Sequence, residues 1–146
     1  MKITVGCDHG ALALKESVKE VLAELGAEID DVGTFTEESV DYPDIAEKVC
    51  AAVTSGKSER GIVLCGTGIG ISMAANKIKG IRCALCGDVY SARMARAHND
   101  ANILALGGRV LGPGPAGEIV RAFFTQEFEG GRHARRVGKI MALENK

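Results

Sequence analysis

The sequence predicts an α/β fold: a single three-layer domain with a five-stranded parallel sheet and helices on both faces. Three observations predict it. Short apolar runs alternate with amphipathic segments along all 146 residues, the pattern of repeated β-α units. The runs end in glycine-containing turns, and the 19 glycines against 4% aromatics suit tight strand-to-helix turns rather than a bulky aromatic core. No low-complexity tract, long linker or break in composition divides the chain, and its length is that of one domain, residues 1–146.

The elements follow in order. Strands are expected at Ile3–Cys7, Glu28–Val32, Gly61–Cys65, Arg82–Cys86 and Ile103–Leu106. The clearest helix spans about Ala11 to Leu25, where Leu14, Val18, Val21, Leu22 and Leu25 form one stripe and Gly26 supplies the stop. Further helices are expected over roughly Pro43–Thr54, Ile71–Ile78, Ser91–Ala97, Ala116–Gln126 and His133–Leu143. Gly33–Asp41 is polar and reads as a surface loop. Such a Rossmann-like sheet binds ligands beyond the carboxyl ends of its strands, so the functional groups are sought there.

Composition excludes several classes. A formal charge of -1 gives no electrostatic case for nucleic acid or an anionic membrane, and 4% aromatics provide no base-stacking platform. The N-terminus starts directly with a strand-like run, so no signal peptide is expected, and no stretch is apolar enough for a membrane span. Five cysteines, an odd number, point to reduced thiols and a cytoplasmic location.

The strongest local feature is Cys65-Gly66-Thr67-Gly68-Ile69-Gly70, after a strand and before a helix. Its glycines let backbone N–H groups face a ligand, and the helix field favours negative charge there, including a thiolate at Cys65. The plainer alternative is a tight turn behind an inert buried thiol. A dinucleotide-binding loop fits poorly: the spacing is GxGxG, it follows the third strand, and the chain leaves no room for a substrate domain.

Other groups are ambiguous alone. Asp8 and His9 end the first strand, where they suit acid-base work or a sugar hydroxyl, although Asp8 equally suits a helix N-cap. His98 and Asn99 sit where a helix gives way to the fifth strand. Arg132 and Arg136 are spaced i, i+4 and form a fork suited to phosphate, or else a solvated basic face with Arg135 and Lys139. Arg109 follows the fifth strand. Cys83-x-x-Cys86 resembles a redox or metal motif, but on a strand these side chains point to opposite faces. With three histidines and no second pair of this kind, no metal site is expected.

Together these pieces resemble the family of type B ribose-5-phosphate isomerases and galactose-6-phosphate isomerase subunits. The resemblance spans nearly the whole chain. It rests on Gly6-Cys7-Asp8-His9, Asp41-Tyr42-Pro43, Cys65-Gly66-Thr67-Gly68-Ile69-Gly70, Ala74-Ala75-Asn76-Lys77, His98-Asn99-Asp100, Gly108-Arg109-Val110 and Glu129-Gly130-Gly131-Arg132-His133. It implies an aldose–ketose isomerase of the pentose phosphate pathway, acting through a cis-enediolate without metal or cofactor. The resemblance also implies a homodimer or tetramer with active sites between subunits.

By motif, Cys65 is the implied base and His98 the group for ring opening, assisted by Thr67 or Asp8. Asp8, His9, Tyr42, Gly66, Thr67, Gly68, Ile69, Gly70 and Asn99 are the implied sugar contacts, with Arg109, Arg132 and Arg136 on the phosphate. A branch of the family places a carboxylate base just past the glycine loop. Here that position is Ile71, which accepts no proton. A six-carbon substrate (allose 6-phosphate or galactose 6-phosphate), a partner in a hetero-oligomer, and a non-catalytic nucleotide- or phosphate-binding module are the alternatives.

Overall fold

The computed structural model describes residues 1–146. Five parallel strands form one sheet: β1 (Lys2–Cys7), β2 (Glu28–Asp31), β3 (Arg60–Cys65), β4 (Cys83–Leu85) and β5 (Ile103–Gly107), in the spatial order β2-β1-β3-β5-β4. Between and after them run α1 (Leu12–Glu24), α2 (Tyr42–Thr54), α3 (Ile69–Ala75), α4 (Val89–Ala97), α5 (Pro113–Thr125) and α6 (Arg132–Ala142), ending in a 3₁₀ turn at Leu143–Asn145. Every expected element is present, with ends displaced by a few residues. No helix is long and apolar enough to cross a membrane.

Right-handed crossovers determine which face each helix covers. The connections β1-α1-β2 and β4-α4-β5 step one way along the sheet, while β2-α2-β3 and β3-α3-β4 step the other way. Accordingly α1, α4 and α5 cover one face, with Leu14, Val18, Leu22, Ala92, Ile119 and Phe123 packed on Val5, Ile62 and Leu104. The other face carries α2 and α3, with Ile45, Val49 and Ile71 on Val63, Ile103 and Ala105. Cys86 belongs to the first cluster and Cys83 packs against the second, so the Cys83-x-x-Cys86 pair is divided by the sheet.

Two local expectations are corrected. Asp8 is not the N-cap of α1: Ala11 holds that position without a side-chain bond, and Asp8 Oδ1 instead accepts the Gly10 N–H at 2.8 Å. The buried stripe of α1 also carries Lys15, 1% exposed, which the apolar periodicity does not foresee. Its Nζ donates to Asp31 Oδ1 at 3.0 Å and to the Thr34 carbonyl at 2.6 Å, beneath the Phe35 ring. A buried ammonium is tolerable only with such partners.

Candidate active site

At the end of β3 the sheet opens on both sides. The chain leaves β1 into α1 and β5 into α5 on one face, but leaves β3 into α3 on the other. Diverging helices leave a crevice at the carboxyl edge, the usual ligand position in such a sheet. Cys65 closes β3 there, flanked by Asp8 beyond β1 and Arg109 beyond β5. The register secures both neighbours: Asp8 N–H donates to the Leu64 carbonyl at 3.1 Å, and Arg109 N–H donates to the Gly66 carbonyl at 2.9 Å.

Within this crevice the glycine loop is bent around one sulfur. Gly68 has φ +79°, open to glycine and costly for other residues, and its N–H donates to Cys65 Sγ at 3.1 Å. Thr67 Oγ1 accepts the Ile69 N–H at 3.2 Å. Gly70 leaves room for Tyr42, whose hydroxyl would sit 2.9 Å from a Cβ placed there, so α2 forms one wall. Arg109 lies across Gly66, its Nη1 3.2 Å from the corresponding Cβ position. His9 Nδ1 accepts the Val40 N–H at 3.2 Å, which leaves the proton of a neutral ring on Nε2 and ties the 33–41 loop to the rim.

Among the five free cysteines only Cys65 has its sulfur held by a loop N–H. Burial drives Cys7 and Cys86 up to about 11 and Cys50 up to about 12, and raises Cys83 further. Those four are thiols at neutral pH. Cys65 is itself 5% exposed, between the open Thr67 and the packed Ile71 and Ala105.

A second group of predicted residues lies elsewhere. His98 caps the C-terminus of α4, and its ring stacks on His133 with centroids 4.0 Å apart and planes 8° from parallel. Glu129 Oε1 stands 3.7 Å from His98 Nε2 and 3.6 Å from His133 Nε2. Arg132 and Arg136 project from the first turns of α6, exposed beside them. Burial, His98 and Arg132 together hold His133 below the ordinary histidine range.

These two groups occupy opposite edges of the sheet. Because α4 runs back antiparallel to the strands, His98 and Asn99 lie near the start of β5, whereas Cys65 pairs with Gly107 at its end. Five strand residues separate the levels, roughly 15 Å. One chain therefore brings together Asp8, His9, Tyr42, the Cys65–Gly70 loop and Arg109, and separately His98, Asn99, Arg132 and Arg136. It does not join the two sets.

His98, Glu129 and His133 are the residues able to share a cation, with ligand atoms all within 4.8 Å of one another. Their geometry suits stacking better. Near-parallel rings send their in-plane lone pairs side by side, whereas common coordination needs them to converge.

Sequence reasoning missed the groups that hold the second set in place. Arg82 donates from Nε to the Asn99 carbonyl at 3.2 Å and from Nη2 to the Asp100 carbonyl at 2.7 Å. Buried Arg96 donates to Asp100 Oδ1 at 2.8 Å and to the Ala101 carbonyl at 2.7 Å. Together they clamp a turn in which Asp100 adopts φ +45°. The i, i+4 spacing of Arg96 and Asp100 was readable; the reach of Arg82 across to the turn was not.

Comparison with known proteins follows the same lines. Residues 3–140 match the family model described as Ribose/Galactose Isomerase. The chain is 48% identical to ribose-5-phosphate isomerase B of Escherichia coli, over 99% of this chain and 97% of that protein. It is 44% identical to the D-erythrulose-4-phosphate isomerase of Pectobacterium atrosepticum, over 99% and 96% respectively. The solved structure of Clostridium thermocellum ribose-5-phosphate isomerase B superposes with a TM-score of 0.97 at 56% identity, covering 99% of this chain and 98% of that one.

Proposed function

This chain belongs to the Ribose/Galactose Isomerase family and is an aldose–ketose isomerase, and from that premise we propose that it interconverts ribose 5-phosphate and ribulose 5-phosphate. The observation that carries the chemistry is the Gly68 N–H on Cys65 Sγ at 3.1 Å. A donor aimed at sulfur stabilises its anion, and a thiolate at the mouth of the crevice is the base the reaction needs.

The cycle begins with the furanose. His98 protonates the ring oxygen while the anomeric hydroxyl gives up its proton, with Asp8 and Thr67 as neighbouring acceptors. Cys65 then removes the C2 proton. The electron pair moves onto the carbonyl oxygen O1, giving a cis-enediolate, and N–H groups of Gly66–Gly70 stabilise that charge by about 3–4 kcal/mol per well-placed donor. Proton transfer from O2 to O1 and return of the carbon-bound proton to C1 complete the ketose. His9, Tyr42, Ile69 and Asn99 orient the hydroxyls. Arg109, Arg132 and Arg136 hold the phosphate, which turns remote binding into alignment at C1 and C2.

Since His98 and Asn99, with Arg132 and Arg136 beside them, sit a strand's length, roughly 15 Å, from the level of Cys65 in one chain, the working site forms between two copies, in a homodimer or a tetramer. An exposed C-terminal segment, with Ile140 of α6 45% and Leu143 of the following 3₁₀ turn 62% exposed, supports this reading. So does the hollow of about 630 Å³ between the end of α6 and the β4 edge, lined by Arg82, Asn99, Ile140 and Met141. Five free thiols suit the reducing cytoplasm.

Substrate length has a second reading, because the Pectobacterium relative is named for a four-carbon sugar phosphate. Turnover on ribose 5-phosphate is therefore compared with that on erythrulose 4-phosphate, allose 6-phosphate and galactose 6-phosphate. A specificity constant highest for ribose 5-phosphate is expected. A higher one for another sugar phosphate would reassign the substrate, and turnover of none would leave a phosphate-binding module. Cys65→Ala should abolish turnover with sugar-phosphate binding retained; normal turnover would remove the base.

A further inference from the structure

The stacked imidazoles raise a question of charge. Two rings with centroids 4.0 Å apart do not both carry a proton, because the second charge is opposed by the first. The surroundings choose between them. His133 is buried, its side chain 7% exposed, and its Nε2 is solvent-free without a hydrogen-bond partner. His98 is 37% exposed and can be hydrated. Of the charged groups facing the pair, Arg132 and Arg136 of α6 oppose a proton on His133, while Glu129 favours one.

The backbone builds this arrangement deliberately. Glu129 N–H donates to the Ala97 carbonyl at 3.0 Å, pinning the segment before α6 to the end of α4. Gly130 and Gly131 then take φ +67° and +57°, turning the chain so that the first turn of α6 lays His133 flat on His98. An exposed carboxylate and a buried ring thus grip a third residue from two sides.

We propose that His133 and Glu129 are positioning residues for His98, His133 as a neutral stacking platform and Glu129 as the counter-charge of the protonated ring. The inference rests on the reading of His98 as the ring-opening acid. It deepens that reading by saying why His98, and not its neighbour, carries the proton to the ring oxygen. A general acid is lost when it deprotonates, so His98 governs the alkaline limb of the pH–kcat profile. Removing a carboxylate 3.7 Å away lowers its proton affinity.

Four variants of the full chain test this: Glu129→Gln, His133→Ala, His133→Phe and His98→Asn, each assayed for kcat and KM on ribose 5-phosphate across pH. In Glu129→Gln the alkaline limb should move to lower pH, at nearly constant KM. His133→Ala should lower kcat at least about tenfold, and His133→Phe, which keeps a flat ring but no proton, should recover most of that loss. An unmoved alkaline limb in Glu129→Gln overturns the counter-charge. A Phe variant as slow as the Ala variant, both folded by circular dichroism, overturns the platform. Wild-type turnover in His98→Asn would instead overturn the reading beneath, which separates the two failures.

Discussion

Replacing Gly68 by alanine tests the geometry of the sulfur-holding loop most sharply. At φ +79° a side chain meets its own backbone, costing about 1–2 kcal/mol. The added Cβ would also lie 2.6 Å from Leu85 Cδ1, 2.9 Å from the Leu106 carbonyl carbon and 3.0 Å from its oxygen. Leu85 can rotate; the β5 backbone cannot, so overpacking adds about 1–3 kcal/mol. The sum of about 2–5 kcal/mol corresponds to a fall in Tm of about 6–15 °C for a chain of this size.

Gly26 supplies the control. It has nearly the same φ, +80°, but nothing within 4 Å of its Cβ position, so Gly26→Ala bears the backbone cost alone and loses about 3–6 °C. Relief of the Gly68 clash displaces the N–H from Cys65 Sγ, and kcat should fall at least about 100-fold. Thermal unfolding and steady-state kinetics of both variants decide the matter. Equal Tm losses, with turnover in Gly68→Ala within about twofold of wild type, would refute the argument from close packing.

Three further outcomes follow from the structure. Asp31→Asn strands Lys15 without its counter-ion and should cost about 3–5 kcal/mol in urea unfolding, while the double change with Lys15→Met should cost less. Burial raises the Asp31 carboxyl, but the Gly33 N–H, Lys19 and Lys15 outweigh it and hold it below its ordinary value. Its contribution is thus complete above the unfolded carboxylate value of about 3.9 and lost as pH falls through the lower folded one, so the Asp31→Asn penalty should shrink below pH 4. Arg82→Met frees the Asn99 and Asp100 carbonyls and should destabilise by about 1–3 kcal/mol while raising KM, read by unfolding and kinetics.

The sheet and its helices were legible because five strand runs and their intervening amphipathic stretches each carry a local signal. Strand ends in the sequence point to Cys65, Asp8 and Arg109. The order β2-β1-β3-β5-β4 was not legible, since pairing is a long-range property, and with it went the knowledge that His98 and Cys65 lie at opposite edges. Lys15 was invisible for a related reason: its partners Asp31 and Thr34 arrive from another strand. Asp8 looked like a cap because caps are read from sequence proximity, and here the carboxylate turns back to Gly10 instead.

The most direct test of a site shared between copies mixes two inactive variants. Cys65→Ala and His98→Asn are each assayed alone, then unfolded together, refolded at equal concentrations and assayed again. If Cys65 of one chain works with His98 of another, half the dimers are hybrids and each hybrid holds one intact site, so activity should return to about one quarter of wild type. A mixture as inactive as its components, with hybrids confirmed by native mass spectrometry, would contradict the shared site.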